Sequence, residues 1–186
     1  MSANRPFLHS RSLPVADAAL VTALWLVTGA RPAYAATITV AQANGDGVVV
    51  IGNDGRCSLI EAINNANDTT NGRPHADCAA GNPQGPDTIN LPAATTFTLT
   101  QVFDALGPTG LPAVDSTITI KGNGATVQRG ANAPFFRLFE IRQSGNLSLE
   151  DVILAGGYIP IGFGGAVRNN RGTLTITGGE VVNNSA

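Results

Sequence analysis

The sequence predicts an all-β fold, a right-handed parallel β-helix (solenoid) with a short N-terminal capping α-helix. Three observations predict it. Gly numbers 22 and Pro 11, while only 13% of residues are charged and 5% aromatic. That mixture is too apolar for a disordered chain and too glycine-rich for a helical bundle. The segments Ile118-Thr119-Ile120, Leu147-Ser148-Leu149 and Leu174-Thr175-Ile176 repeat one apolar–hydroxyl–apolar pattern, with starts 29 and 27 residues apart. A period in the twenties marks a solenoid, whose coils bury one another's apolar faces because no single unit can bury its own. The competing architecture is a β-sandwich, but sandwich strands recur every ~8–12 residues without a longer period.

The elements follow in chain order. Arg5, His9 and Arg11 precede the apolar run 18–27, shorter than the about 20 residues a spanning helix needs. Ala33-Tyr34-Ala35 then places small residues where a signal peptidase reads them. Residues 1–35 are therefore expected to be a Sec-type signal peptide cleaved after Ala35, the alternative being an uncleaved anchor. The processed chain is expected to be secreted or held at the cell surface, with no membrane span of its own.

Residues 36–100 are expected to form an N-terminal cap. Thr37–Val40 alternates polar and apolar, the period of a half-buried strand. Asn44–Gly47 reads as a turn, Val48–Ile51 as a strand, and Asn53–Gly55 as a second turn leading to Cys57. Ser58 and Glu61 stand three apart, the spacing of a capping box in which each side chain satisfies the other's backbone N–H. Leu59, Ile63 and Ala66 recur at helical spacing, with Asn64, Asn65 and Asn67 facing elsewhere, and the helix should end between Asn67 and Asn71. Residues 68–86 form a Pro/Gly-rich loop. In an oxidising compartment Cys57 and Cys78, the two cysteines of the chain, read as a disulfide. Closing that loop contributes roughly 3 kcal/mol. The competing reading is a metal site in which His75 and Asp77 assist Cys78, but further ligands at suitable spacing are missing. Asp87–Leu91 and Thr96–Thr100 alternate as strands.

Residues 101–186 are expected to be rungs. Each of the last two units carries three short strands, led by Phe139–Ile141 and by Ala166-Val167 and trailed by Val152–Leu154 and by Val181-Val182. Turns fall at Gly145-Asn146 and Arg171-Gly172, and Asn169-Asn170 and Asn183-Asn184 are placed for side chains to bond a neighbouring coil. The last rung is followed by no closing polar cap, so continuation past Ala186 is expected, or an open end that self-associates.

No catalytic set emerges. Glycoside chemistry needs two or three converging acids. Glu150-Asp151 is the one adjacent acidic pair of the repeat region, and neighbours in a strand point apart. Asp115 has no acidic partner at rung spacing. Past residue 35 the one histidine is His75. Arg129, Arg137, Arg142 and Arg168 read as a solvated outer wall. Asn44, Asp46, Asn53 and Asp54 offer oxygens for calcium, yet Asn-Gly and Asp-Gly are ordinary turn formers and no EF-type loop exists. No cofactor is expected. A net charge of −2 with scattered basic residues argues against nucleic acid.

The stretch Cys57-Ser58-Leu59-Ile60-Glu61-Ala62-Ile63-Asn64-Asn65-Ala66-Asn67 resembles the Cys-Ser-Leu-Arg-Glu-Ala-Ile signature of the CSLREA-type domain of bacterial surface proteins. The likeness continues through Asp77-Cys78, Gly85–Ile89, Leu91-Pro92, Phe97–Thr100 and residues 138–157. Gly164–Val167 through Asn183–Ala186 looks like a rung of the polymorphic outer-membrane-protein type of β-helix. One departure is Ile60 where the motif has Arg; the capping box does not depend on it, so the helix is expected to survive. The resemblance implies a large exported β-helix with a structural or adhesive role, meeting a surface glycan or a cell-surface protein. It brings no catalytic residues. The alternative is the N-terminal part of a carbohydrate-binding or polysaccharide-processing β-helix.

Overall fold

A computed structural model of the chain describes residues 35–67, 75–83, 85–105 and 107–186. The expected signal peptide, apart from Ala35, and part of the loop after the helix lie outside the described residues. The described chain is a parallel β-solenoid of about three turns with one helix near its N-terminal side.

The strands are β1 (Ala36–Thr39), β2 (Gln42–Ala43), β3 (Asp46–Gly47), β4 (Asp87–Asn90), β5 (Thr96–Leu99), β6 (Thr117–Arg129), β7 (Phe139–Ile141), β8 (Asn146–Ala155), β9 (Val167–Asn169), β10 (Thr173–Thr177) and β11 (Glu180–Val182). Helix α1 is Leu59–Asn67. One face of the solenoid stacks β1, β4, the first half of β6, the first half of β8, and β10, all parallel. A second face stacks β3, β5 and the second halves of β6 and β8 beneath β11. On the third, β7 pairs with β9, and Val114 bridges Ile141 from below.

The register carries out the repeat read from the sequence: Ile118 lies opposite Leu147, and Leu147 opposite Leu174. In consequence the inward residues form ladders. Ile38, Ile89, Ile120, Leu149 and Ile176 are consecutive partners on the first face. Phe97, Val127, Leu154 and Val181 are so on the second. All but the last member of each ladder are buried, and each buried side chain contributes about 1.5–3 kcal/mol of transfer free energy. Ile176 and Val181 are exposed on the last coil.

The corner between the first two faces is made the same way each time. Ala94, Asn123, Asp151 and Gly178 all hold positive φ there, between 49° and 68°. That conformation suits Asn, Asp and Gly, which explains the residue types at three of the four coils. The paired apolar runs of residues 147–154, read as two strands, are in fact one strand that bends at Asp151. Asparagines join the coils: Asn123 Nδ2 donates to the Leu91 carbonyl at 2.9 Å and Asn184 Nδ2 to the Leu154 carbonyl at 2.9 Å. Asn169 instead bonds the Gly172 carbonyl within its own turn.

At the N-terminal side the turn is narrower than expected. Asn44 and Gly45, both at positive φ, connect the antiparallel pair β2–β3, the conformation a two-residue hairpin requires. Val48–Ile51 is not a strand. Its backbone is spent on redirecting the chain: Val48 N–H bonds the Ala41 carbonyl and its own carbonyl accepts Leu59 N–H. Among the described residues no helix is long and apolar enough to cross a membrane.

Candidate functional site

The motif block 57–67 condenses into a staple rather than an open cleft. Ser58 Oγ accepts the Glu61 backbone N–H at 3.2 Å, and Glu61 Oε2 accepts the Ser58 N–H at 2.9 Å. Both side chains are buried, so the capping box read from spacing is present in full. Glu61 does more than the spacing indicated, because its Oε1 also accepts Gly52 N–H at 2.9 Å and ties the preceding loop to the helix. His75 Nδ1 lies 3.8 Å from the same oxygen.

Cys57 and Cys78 form a disulfide with their Cα atoms 4.6 Å apart, both residues buried. With Cys78 so engaged, its thiolate is not open to a metal. Asp77 is drawn to the loop, its Oδ2 accepting Asp54 N–H at 2.8 Å and Gly55 N–H at 3.1 Å. Asp54 in turn accepts Arg56 N–H at 3.0 Å. His75 Nε2 meets Asn64 Nδ2 at 3.1 Å. Among the described residues no three His, Cys, Asp or Glu side chains gather as metal ligands.

Asn65 is a correction. It was expected to face away from the core, but it is buried, donating to the carbonyls of His75 and Ala79 at 3.0 Å and accepting His75 N–H at 3.0 Å. A buried amide is tolerable when its donors and acceptor are all used. Asn67 extends the staple to the rungs, donating to Ala113 O at 2.7 Å and accepting Asp115 N–H at 3.1 Å. Ser116 Oγ donates to Ala66 O at 2.9 Å. Since Val114 bonds Glu140 and Arg142 above it, α1 stands beneath the third face, where a further strand would pair.

The helix survives Ile60. This half-buried side chain packs against the core and lines an open groove of about 220 Å³ with Val49, Leu99, Val102 and Phe103. An arginine there would bring a charge into an apolar groove.

The expected solvated wall of arginines is only partly present: Arg142 is exposed, Arg129 and Arg168 are half-buried, and Arg137 is buried. Arg137 is 4% exposed, with Nη1 on the Gly107 carbonyl at 2.9 Å and 3.4 Å from Glu140 Oε2. Arg168 reaches Glu140 Oε1 at 3.6 Å. Burial pulls the Arg137 guanidinium below its usual pKa, while Glu140 opposes that shift. Arg129 donates to three carbonyls, those of Gly156, Gly130 and Ala133. Arg142 lies between Asp104 and Asp115, at 3.8 and 3.3 Å. Sequence reasoning missed these pairings, although Asp115 and Arg142 are one repeat apart.

Ile161 is 90% and Phe163 81% exposed in the loop 160–164. Phe135, 56% exposed, packs edge-on against Tyr158 with ring centroids 4.8 Å apart. Phe136 and Phe139, by contrast, are core residues. No family model matches the chain, and neither a curated protein nor a solved structure matches it.

Proposed function

We propose that this chain is an exported, non-catalytic surface module of the CSLREA type, an adhesin-like solenoid that presents an exposed loop to a partner. The observation that carries this reading is the exposure of two large apolar side chains, Ile161 and Phe163, in the loop 160–164. Exposed large apolar side chains of that kind mark interaction sites. The pairing of Asp104 and Asp115 with Arg142, and of Glu140 with Arg137 and Arg168, supports a structural use of these acids. Export rests on the pattern of residues 1–35, and the Cys57–Cys78 bridge supports an oxidising destination.

A second reading, glycan binding, is favoured by the Phe135–Tyr158 pair, because exposed aromatic faces stack on sugar rings.

The test is fractionation of producing cells followed by intact-mass measurement, then binding of the purified exported chain to an array of surface polysaccharides and to intact cells. The expected result is extracytoplasmic protein without residues 1–35, whose binding falls about tenfold or more when Ile161 and Phe163 are both changed to Ser. Cytoplasmic protein retaining residues 1–35 overturns the export reading. Binding unaffected by the double substitution overturns the role of the loop. Binding lost with Phe135→Ala alone selects the glycan reading.

A further inference from the structure

Among the described residues, the buried carboxylate of Asp87 has no counter-charge. It is 1% exposed at the start of β4. Its partners are neutral backbone donors: Asn82 N–H at 2.9 and 3.1 Å from its two oxygens, and Ala36 N–H at 3.2 Å from Oδ1. Burial pushes its carboxyl above the usual range in spite of those bonds. Among the described residues no Lys, Arg or His lies within ion-pair reach of it. Enclosing a carboxylate on neutral donors is unfavourable unless a cation arrives.

Among the described residues, the nitrogen that bonds Asp87 from another element is that of Ala36, the residue that directly follows the expected cleavage site. In the unprocessed chain that nitrogen is a neutral amide. Hydrolysis of the Ala35–Ala36 peptide bond adds water across it, giving a carboxylate on Ala35 and an α-ammonium on Ala36. The nitrogen's place in the register is unaltered, because Ala36 is held opposite Asp87 by the β1–β4 ladder. We propose that processing after Ala35 completes a buried ion pair between the Ala36 α-ammonium and the Asp87 carboxylate, a lock on the first coil that only the exported chain possesses. This inference rests on the export reading above.

The lock has a consequence for assembly. β1 is the outermost strand of the first face, and its inward Ile38 is the first member of the aliphatic ladder. Terminal strands fray unless tied down. A retained leader would leave Asp87 without that counter-charge at the edge, so β1 is held more firmly in the exported chain than in the unprocessed one.

Acylation of amines tests it, since the sole lysine, Lys121, is exposed and serves as an internal standard. Protein exported with its own leader is first read by N-terminal sequencing. A start at Ala36 is expected; a different start overturns both the cleavage reading and the lock. With Ala36 established, the native protein is treated with an acylating reagent near neutral pH, alongside Asp87→Asn and the urea-unfolded chain. The α-amine of the native wild type should react about tenfold more slowly, relative to Lys121, than in either comparison, because each unit of raised amine pKa removes tenfold of the reactive neutral form. Equal rates in wild type and Asp87→Asn overturn the lock while leaving export standing. Should Asp87→Asn fail to fold, the rate of the wild type against pH decides. Pairing with Asp87 displaces the amine's titration upward from its ordinary value of about 8, whereas burial alone displaces it downward. An upward displacement supports the lock and a downward one overturns it.

Discussion

Glu61 is the residue on which the N-terminal cap turns, and removing its carboxylate gives the sharpest test of the staple. In Glu61→Ala two backbone donors lose their acceptor, Ser58 N–H and Gly52 N–H, each bonded at 2.9 Å. Gly52 is exposed, so water replaces its partner, and that loss is about 1 kcal/mol. Ser58 is fully buried and its N–H is left orphaned, at a cost of about 1–3 kcal/mol. The void left by the buried side chain adds to this, so about 3–4 kcal/mol is expected in all. For a domain of this size each kcal/mol lowers Tm by roughly 2–4 °C, and the expected fall is about 10 °C. Thermal melts of the oxidised protein, followed by circular dichroism, measure it. Glu61→Gln keeps one acceptor oxygen and should lose about half as much. Ser58→Ala removes a single cap bond, to Glu61 N–H, and should cost about 1 kcal/mol. If Glu61→Ala is no worse than Ser58→Ala, the second reach of Glu61 to Gly52 and the burial argument are both wrong.

Further predictions follow from other parts of the chain. Reduction, or Cys57→Ser with Cys78→Ser, frees the loop between positions 21 apart and should lower stability by about 3 kcal/mol, read as the difference between urea midpoints with and without reductant. Gly47→Ala places a Cβ against the buried Phe97 ring and should cost about 1–3 kcal/mol, whereas Gly55→Ala, whose Cβ meets nothing, should cost only the strain of its positive φ. A chain carrying residues before Ala36 should lose stability relative to its Asp87→Asn variant as pH rises from about 3.8. The folded carboxyl holds its proton to higher pH than the unfolded one, so the native state binds more protons in that window and stability falls through it. The chain starting at Ala36 should not show that fall, because the ammonium favours the ionised carboxyl.

The sequence by itself determined the architecture. Period-two alternation inside a repeat of 27–29 residues leaves each coil with one apolar stripe, and only stacking in register covers it, as Ile118, Leu147 and Leu174 do. The capping box and the Cys57–Cys78 bridge were legible for the same reason: they are local, or they exhaust the residues of their type. Tertiary structure alone decided the rest. The fate of Val48–Ile51 depended on hydrogen bonds to Ala41 and Leu59, which drew a β-prone segment out of the sheet. Asn65 reads as a surface residue until the loop from His75 to Ala79 folds over it and uses its amide. Arg137 and Asp87 carry charge into the interior, and each takes part of its hydrogen bonding from far along the chain: the Gly107 carbonyl for the first, the Ala36 N–H for the second. Patterning reports which face is apolar, because hydrophobic burial is nondirectional and summed along the strand. Polar pairing is set by angstrom-scale geometry between distant segments, and only the folded coil brings those segments together.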